Sequence, residues 1–248
     1  MEKILIIGAT SAIAEACARK FATEEKTLFL YGRDEKKLIE IGKDLSVRGA
    51  KKVFVDTFKA EEHLNQANEM IENAISKLNG FDTVVLAHGI LPDQKKCEQS
   101  FIQTQKTLDI NFLSMVTYLT VLSEYFKKQQ EGNIVVISSV AGDRTRKSNY
   151  IYGTSKGALT LFCDGLRSRL YKDNINVLIV KPGFVDTPLT AHIVEKGFLW
   201  SNPKSIAKDI SKSIYNKKSR LYTPRYWFLI MLIIKMLPEK LFFKFEKL

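Results

Sequence analysis

The feature that most constrains this chain is an alternation repeated along most of its length, in which short apolar runs lead into longer stretches of helical periodicity. "KILIIG" precedes Ala12–Ala22, "TLFLYG" precedes Glu35–Val47, and "KKVFVD" precedes Glu61–Leu78. The pattern continues with "DTVVLAHG", a helical stretch over about Gln105–Lys128, "GNIVVISS", a helix over about Tyr152–Tyr171, and "INVLIVKPG". These apolar runs are nearly continuous, the composition of parallel strands covered by helices on both faces. Parallel neighbours need right-handed crossovers, so the expected class is α/β, a doubly wound parallel sheet with ligands received at the carboxyl ends of its strands. The 248 residues hold no internal repeat and no Pro/Gly-rich linker, which predicts one domain.

The formal charge of +11 is unevenly spread, since positions 201–248 carry eleven Lys/Arg against three Asp/Glu. Within that basic stretch lies "YWFLIMLIIKML", Tyr226–Leu237, interrupted only by Lys235. Twelve residues make about 18 Å of helix, too short for a hydrocarbon core of about 30 Å. The stretch suits a core helix, a partner-docking helix or an interfacial one. Arg225, Lys235, Lys240, Lys244 and Lys247, with Tyr226, Trp227 and the phenylalanines of "LFFKFEKL", favour peripheral membrane contact. Nucleic acid is not expected, because the aromatics are mixed with aliphatics and form no polar stacking surface. Cys17, Cys97 and Cys163 are odd in number and widely spaced, so neither a disulfide framework nor a metal site is expected. The opening "MEKILIIGAT" does not read as a signal peptide, and a cytoplasmic location, peripheral on the inner face of the membrane, is the expectation.

Three motifs carry chemistry. "GATSAIA", from Gly8 to Ala14, turns the first strand into a helix whose positive end could receive a pyrophosphate, although an ordinary turn capped by Ser11 reads the same way. In "YIYGTSKGAL", Tyr152 and Lys156 stand four apart and share a helix face, where an ammonium lowers a phenol's pKa from about 10. Ser139 lies at the end of the strand "NIVVISS", where a parallel sheet presents ligand-facing residues.

Together with Asn111 in "DINFLS" and Pro182-Gly183 in "KPGFVDTP", these residues resemble the short-chain dehydrogenases/reductases, in order and over essentially the whole chain. The resemblance implies a Rossmann fold and an NAD(P)-dependent oxidoreductase. It implies Tyr152 as general acid, Ser139 polarising the substrate carbonyl, and Lys156 holding the nicotinamide ribose and lowering the Tyr pKa. Asn111 would order a proton-relay water. It further implies cofactor contacts from Gly8, Thr10, Ser11, Ile13, Arg33, Asp56, Ala87, Gly89, Tyr152, Lys156, Pro182, Gly183, Val185 and Thr187, with Asp56 at the adenine and no metal. Two departures stand out. Ala12 and Ala14 replace two glycines of the fingerprint, and "LAHG" stands where the family often has Asn-Asn-Ala-Gly; His88 within it receives no chemical role.

At the end of the second strand an NAD enzyme would place a carboxylate; here Gly32 takes that place and Arg33 follows, which favours NADP(H) over NAD(H). Asp34 is expected to cap the next helix. Arg144, Arg146 and Lys147 lie between Ser139 and Tyr152, either as solvated surface or as receivers of a substrate phosphate. With "KPGFVDTPLTAH" and the basic apolar tail, this segment is similar to one branch of the family, the decaprenylphosphoryl-2-keto-ribose reductases. That likeness implies an NADPH-dependent reduction of a polyprenyl-phosphate-linked 2-keto sugar, the second half of a ribose-to-arabinose epimerisation, alongside a flavin oxidase partner. Another keto substrate (a 3-oxoacyl thioester, a steroid-like ketone, another lipid-linked sugar) or a weakly active cofactor-binding partner subunit stays open, as does a homo-oligomer. The expected division is a reductase domain at 1–222, with a substrate loop at about 186–202, and a membrane-contact tail at 223–248.

Overall fold

The structure, a computed structural model, describes residues 2–191, 193 and 196–244. Of the positions singled out above, Phe245 and Lys247 of the tail and His192 of the expected substrate loop lie outside the described residues. Seven parallel strands form the main sheet: β1 (Lys3–Ile7), β2 (Thr27–Gly32), β3 (Lys52–Thr57), β4 (Thr83–Leu86), β5 (Gly132–Ile137), β6 (Ile175–Pro182) and β9 (Arg220–Thr223). Their spatial order is β3-β2-β1-β4-β5-β6-β9, so the winding reverses between β1 and β4. A separate short ladder pairs β7 (Phe184–Val185) with β8 (Trp200–Ser201).

The helices are α1 (Ala12–Ala22), α2 (Glu35–Val47), α3 (His63–Leu78), α4 (Gln94–Gln99), α5 (Phe101–Leu108), α6 (Ser114–Gln129), α7 (Tyr150–Leu170), α8 (Pro203–Tyr215), α9 (Tyr226–Met236) and α10 (Glu239–Phe242). Strand alternation sorts the apolar side chains onto two faces. Leu5 and Ile7 of β1 point into a core completed by α3, α6 and α7, while Ile4 and Ile6 point into one completed by α1, α2 and α8. Covering both faces is what makes continuous apolar strands stable here. Asp34 caps α2, its carboxylate accepting from the Lys37 backbone N–H at 3.0 Å.

The structure departs from the sequence reading in three ways. The stretch expected as one helix from Gln105 is broken by a π turn at Asp109–Leu113 between α5 and α6. Single π turns widen a helix locally and recur at functional sites. The strand β9 and the helix α8 before it were not anticipated, because neither shows a long apolar run. Third, the apolar stretch at the C-terminus is only half a surface helix: Trp227, Met231 and Ile234 of α9 are buried in a third cluster with Val140 and Phe242.

Candidate active site

A cavity of about 370 Å³ opens at the carboxyl ends of β1, β4, β5 and β6, where the winding of the sheet reverses. Thr10, Ser11 and Ile13 reach it from the turn into α1, Ala87 and Gly89 from the end of β4, and Pro182, Gly183, Val185 and Thr187 from the segment after β6. Gly8, Arg33, Ser139, Tyr152 and Lys156 complete the set, so every residue expected to hold a cofactor lines this crevice except Asp56. Asp56 is turned aside, one carboxylate oxygen accepting from Asn73 of α3 at 2.9 Å and the other from the Thr57 backbone at 2.8 Å. Phe58, Ala60 and Glu61 take its expected place in the wall.

A dinucleotide suits this lining. Ser11 precedes α1 without turning its side chain onto the helix's first N–H groups, which leaves those donors and the positive helix end to a phosphate. Ala12 joins the crevice wall, while Ala14 is fully buried beneath it. Lys37 reaches over from α2, its ammonium donating to the Thr10 carbonyl at 3.2 Å, and shares the wall with Arg33.

At the other end stand the catalytic candidates. The Lys156 ammonium donates to the Ile137 carbonyl at 3.0 Å, and burial lowers its pKa to about 8. The expectation that Lys156 depresses the Tyr152 phenol is not met: burial pushes Tyr152 up to about 12, and the opposing influence is a hydrogen bond with Ser139. The reason is geometric. The ammonium sits 5.9 Å from the phenol ring centre and is committed to a backbone carbonyl. A neutral phenol at physiological pH is a proton donor, and with the Ser139 hydroxyl it presents two donors to one carbonyl oxygen.

Ser139 is held by its loop. Its hydroxyl accepts from the Ala141 backbone at 3.1 Å, and the turn that follows packs backbone to backbone on α7. A Cβ placed on Gly142 would lie 2.7 Å from the Gly157 nitrogen and the Lys156 carbonyl carbon, so only glycine lets the Ser139 loop close on the helix carrying Tyr152 and Lys156. Ser138, the neighbour, donates to the Lys156 carbonyl at 3.1 Å. Asp143 of the same loop pairs with the buried Lys181 of β6 and accepts from the Tyr222 hydroxyl at 2.7 Å. Sequence reasoning missed Gly142, Ser138 and this triad; the available signal was a lysine inside the apolar strand "INVLIVKPG", which burial allows only with a partner.

Asn111 lies in the π turn, fully buried, and its side chain is spent on the backbone beside Gly89. It accepts from the Ile90 N–H at 2.7 Å and donates to the Ile90 carbonyl at 2.8 Å and to Ser155 at 3.2 Å. The side chain braces the crevice wall and does not face into the cavity. His88 is likewise structural: its ring is buried beside Phe58 and Tyr118, bonds Ser114 at 2.8 Å, and is held neutral with a pKa near about 3 by burial.

The cations after Ser139 part company. Arg144 is committed to the end of α9, donating to the Ile234 and Leu237 carbonyls at 2.5 and 2.6 Å and stacking over Phe242, so it is not offered to a substrate. Arg146 lies over the Phe184 ring at 5.7 Å, half-buried, with burial lowering its pKa. Lys147 is exposed. Arg146 and Arg144 line a small second cavity of about 60 Å³ between the Ser139 loop and α9. The helix closes tightly on the crevice from that side, since a Cβ on Gly183 would fall 1.8 Å from the Trp227 indole nitrogen.

Known proteins match this arrangement over most of its length. A family model for short chain dehydrogenase matches residues 2–197. An uncharacterized oxidoreductase of Mycobacterium tuberculosis is 29% identical over 238 residues, covering 95% of this chain and 94% of its own. One from Staphylococcus epidermidis is 31% identical over 191 residues, covering 76% and 80%, and one from Streptomyces coelicolor is 29% identical over 242 residues, covering 96% and 94%. Among solved structures, a short-chain type dehydrogenase/reductase from Mycobacterium ulcerans superposes with a TM-score of 0.78 at 18% identity, covering 89% of this chain and 87% of its own. With its parallel seven-stranded sheet and the Ser139, Tyr152 and Lys156 set in one crevice, the chain belongs to the short-chain dehydrogenase/reductase family, oxidoreductases that use NAD(P)(H).

Proposed function

We propose that this enzyme reduces a keto group with NADPH and that its substrate is an anionic lipid-linked sugar, the 2-keto pentose of a polyprenyl phosphate. The observation that carries the reduction is the meeting of Ser139, a protonated Tyr152 and a cationic Lys156 in one crevice. When bound, a reduced nicotinamide supplies the hydride. Ser139 and Tyr152 hold the carbonyl oxygen, and Tyr152 delivers its proton there as negative charge develops. Lys156, its ammonium committed to the Ile137 carbonyl, would hold the nicotinamide ribose, and Ser138 and Gly142 hold the loop against α7 so that the donors converge.

NADPH is favoured over NADH by Arg33 and Lys37, two cations lining the crevice beside Gly32, which stands where an NAD enzyme would place a carboxylate. An anionic substrate is favoured by Arg146, a half-buried guanidinium beside the Ser139 loop whose contact is the Phe184 ring. The lipid-linked sugar is supported by the sequence likeness to the keto-ribose reductases.

The test is turnover with a short prenyl-phosphate 2-keto-pentose and with a neutral ketone. Tyr152→Phe is expected to bind NADPH as wild type does and to lose at least about 100-fold in rate on both substrates. Arg146→Ala is expected to raise KM roughly 10- to 150-fold for the phosphate substrate and to leave the neutral ketone unchanged. A Tyr152→Phe enzyme keeping more than about a tenth of its rate would overturn the reduction chemistry. Equal effects of Arg146→Ala on both substrates would overturn the anionic substrate.

A further inference from the structure

We propose that the outer face of α9 and α10 is a docking surface for an anionic lipid bilayer. The inner face of α9 is accounted for: Trp227, Met231 and Ile234 recur at helical spacing and are buried against the domain, and Arg144 fixes the end of the helix. The opposite face is apolar too. Phe228, Leu229, Ile233 and Met236 are 53%, 60%, 62% and 76% exposed, and Phe243 beyond α10 is 69% exposed. A helix at a protein–water boundary carries polar residues on that face, and an apolar one marks a surface that is covered in use.

Charge and length identify what covers it. Between positions 225 and 244 the cations Arg225, Lys235, Lys240 and Lys244 face a single acid, Glu239. A second copy of this chain, docked face to face, would bring these cations against their own kind, which disfavours a symmetric dimer here. Anionic headgroups complement them, each cation strengthening partitioning by about fivefold. The eleven residues of α9 span about 16 Å, so the helix lies along the interface. Among the described residues no helix is long and apolar enough to cross a membrane. Because the inner face packs on the domain through Trp227, Met231 and Ile234, α9 presents its outer face from a docked position. The inference stands independently of the substrate, since it needs neither the crevice nor Arg146.

Sedimentation of the full chain with phosphatidylcholine vesicles, with and without phosphatidylglycerol, tests it. Strong co-sedimentation with the anionic vesicles at low salt, weakened but not abolished at high salt, is expected. The double variant Leu229→Ser/Ile233→Ser, at two exposed positions, is expected to lose at least tenfold in partitioning while melting with the wild type and binding NADPH normally. Lys235→Gln/Lys240→Gln is expected to lose the preference for phosphatidylglycerol. The proposal is overturned if the intact chain stays in the supernatant at low salt, if phosphatidylglycerol makes no difference, or if Leu229→Ser/Ile233→Ser sediments like wild type. It is equally overturned if the chain is a dimer in solution that this double variant splits without any change in vesicle binding.

Discussion

Lys156 is the residue whose state the surroundings decide most narrowly. Burial brings its pKa down from that of an ordinary lysine to about 8, while the same burial keeps the Tyr152 proton in place up to about 12. Reduction needs the tyrosine protonated and the lysine charged, so the alkaline limb of the reaction belongs to the lysine. The rate should hold below about 8 and fall as pH rises through that value, before Tyr152 ionises. A profile of kcat/KM for NADPH against pH should therefore bend near 8, and Lys156→Arg, which keeps its charge to higher pH, should move the bend upward even though its overall rate is lower. That Ser139, Tyr152 and Lys156 would meet in one crevice was legible in the sequence from residue type and spacing. Asn111 was legible as a position but not as a contact, since nothing in "DINFLS" tells that its amide grips Ile90.

Between elements, the Lys181–Asp143–Tyr222 triad ties β6, the loop after Ser139 and β9 into one unit. Removing one partner strands a buried charge, which typically costs about 3–5 kcal/mol. Lys181→Met should lower the melting temperature by roughly 6–20 °C, at about 2–4 °C per kcal/mol for a chain of this size. Replacing both partners, Lys181→Met with Asp143→Leu, should recover part of that loss; circular dichroism melts of the three proteins check it. Strands and long helices were readable because periodicity is local: α1 and α2 fall on the expected residues. The π turn at Asp109–Leu113 was not, because it inserts one residue's worth of offset into an otherwise helical pattern without a Gly or Pro to mark it.

At the scale of the whole molecule, the doubly wound parallel sheet and the ligand end of its strands followed from the alternation of runs, whereas the edge strand β9 and the position of the C-terminal helix did not. A stretch apolar on all sides has no moment to say which side faces the protein, and tertiary contact alone sorts Trp227 inward and Phe228 outward. The expected division at position 222 thus runs through a packed interface. Ending the chain at Tyr222 would uncover Val140 and release Arg144, whose partners are the Ile234 and Leu237 carbonyls. That truncation should melt well below the intact chain, a loss of at least the roughly 3–5 kcal/mol expected for Trp227→Ala alone, whereas a dispensable tail would leave the melt unchanged. The contact between Trp227 and Gly183 reaches further than stability. With 1.8 Å between the indole nitrogen and the place a methyl would occupy, position 183 accepts no side chain while Trp227 stands, without disturbing the Pro182-Gly183 wall of the crevice. The two behave as one heritable unit: a larger residue at 183 becomes admissible only in company with a smaller one at 227, and the double change should cost less than the sum of its parts.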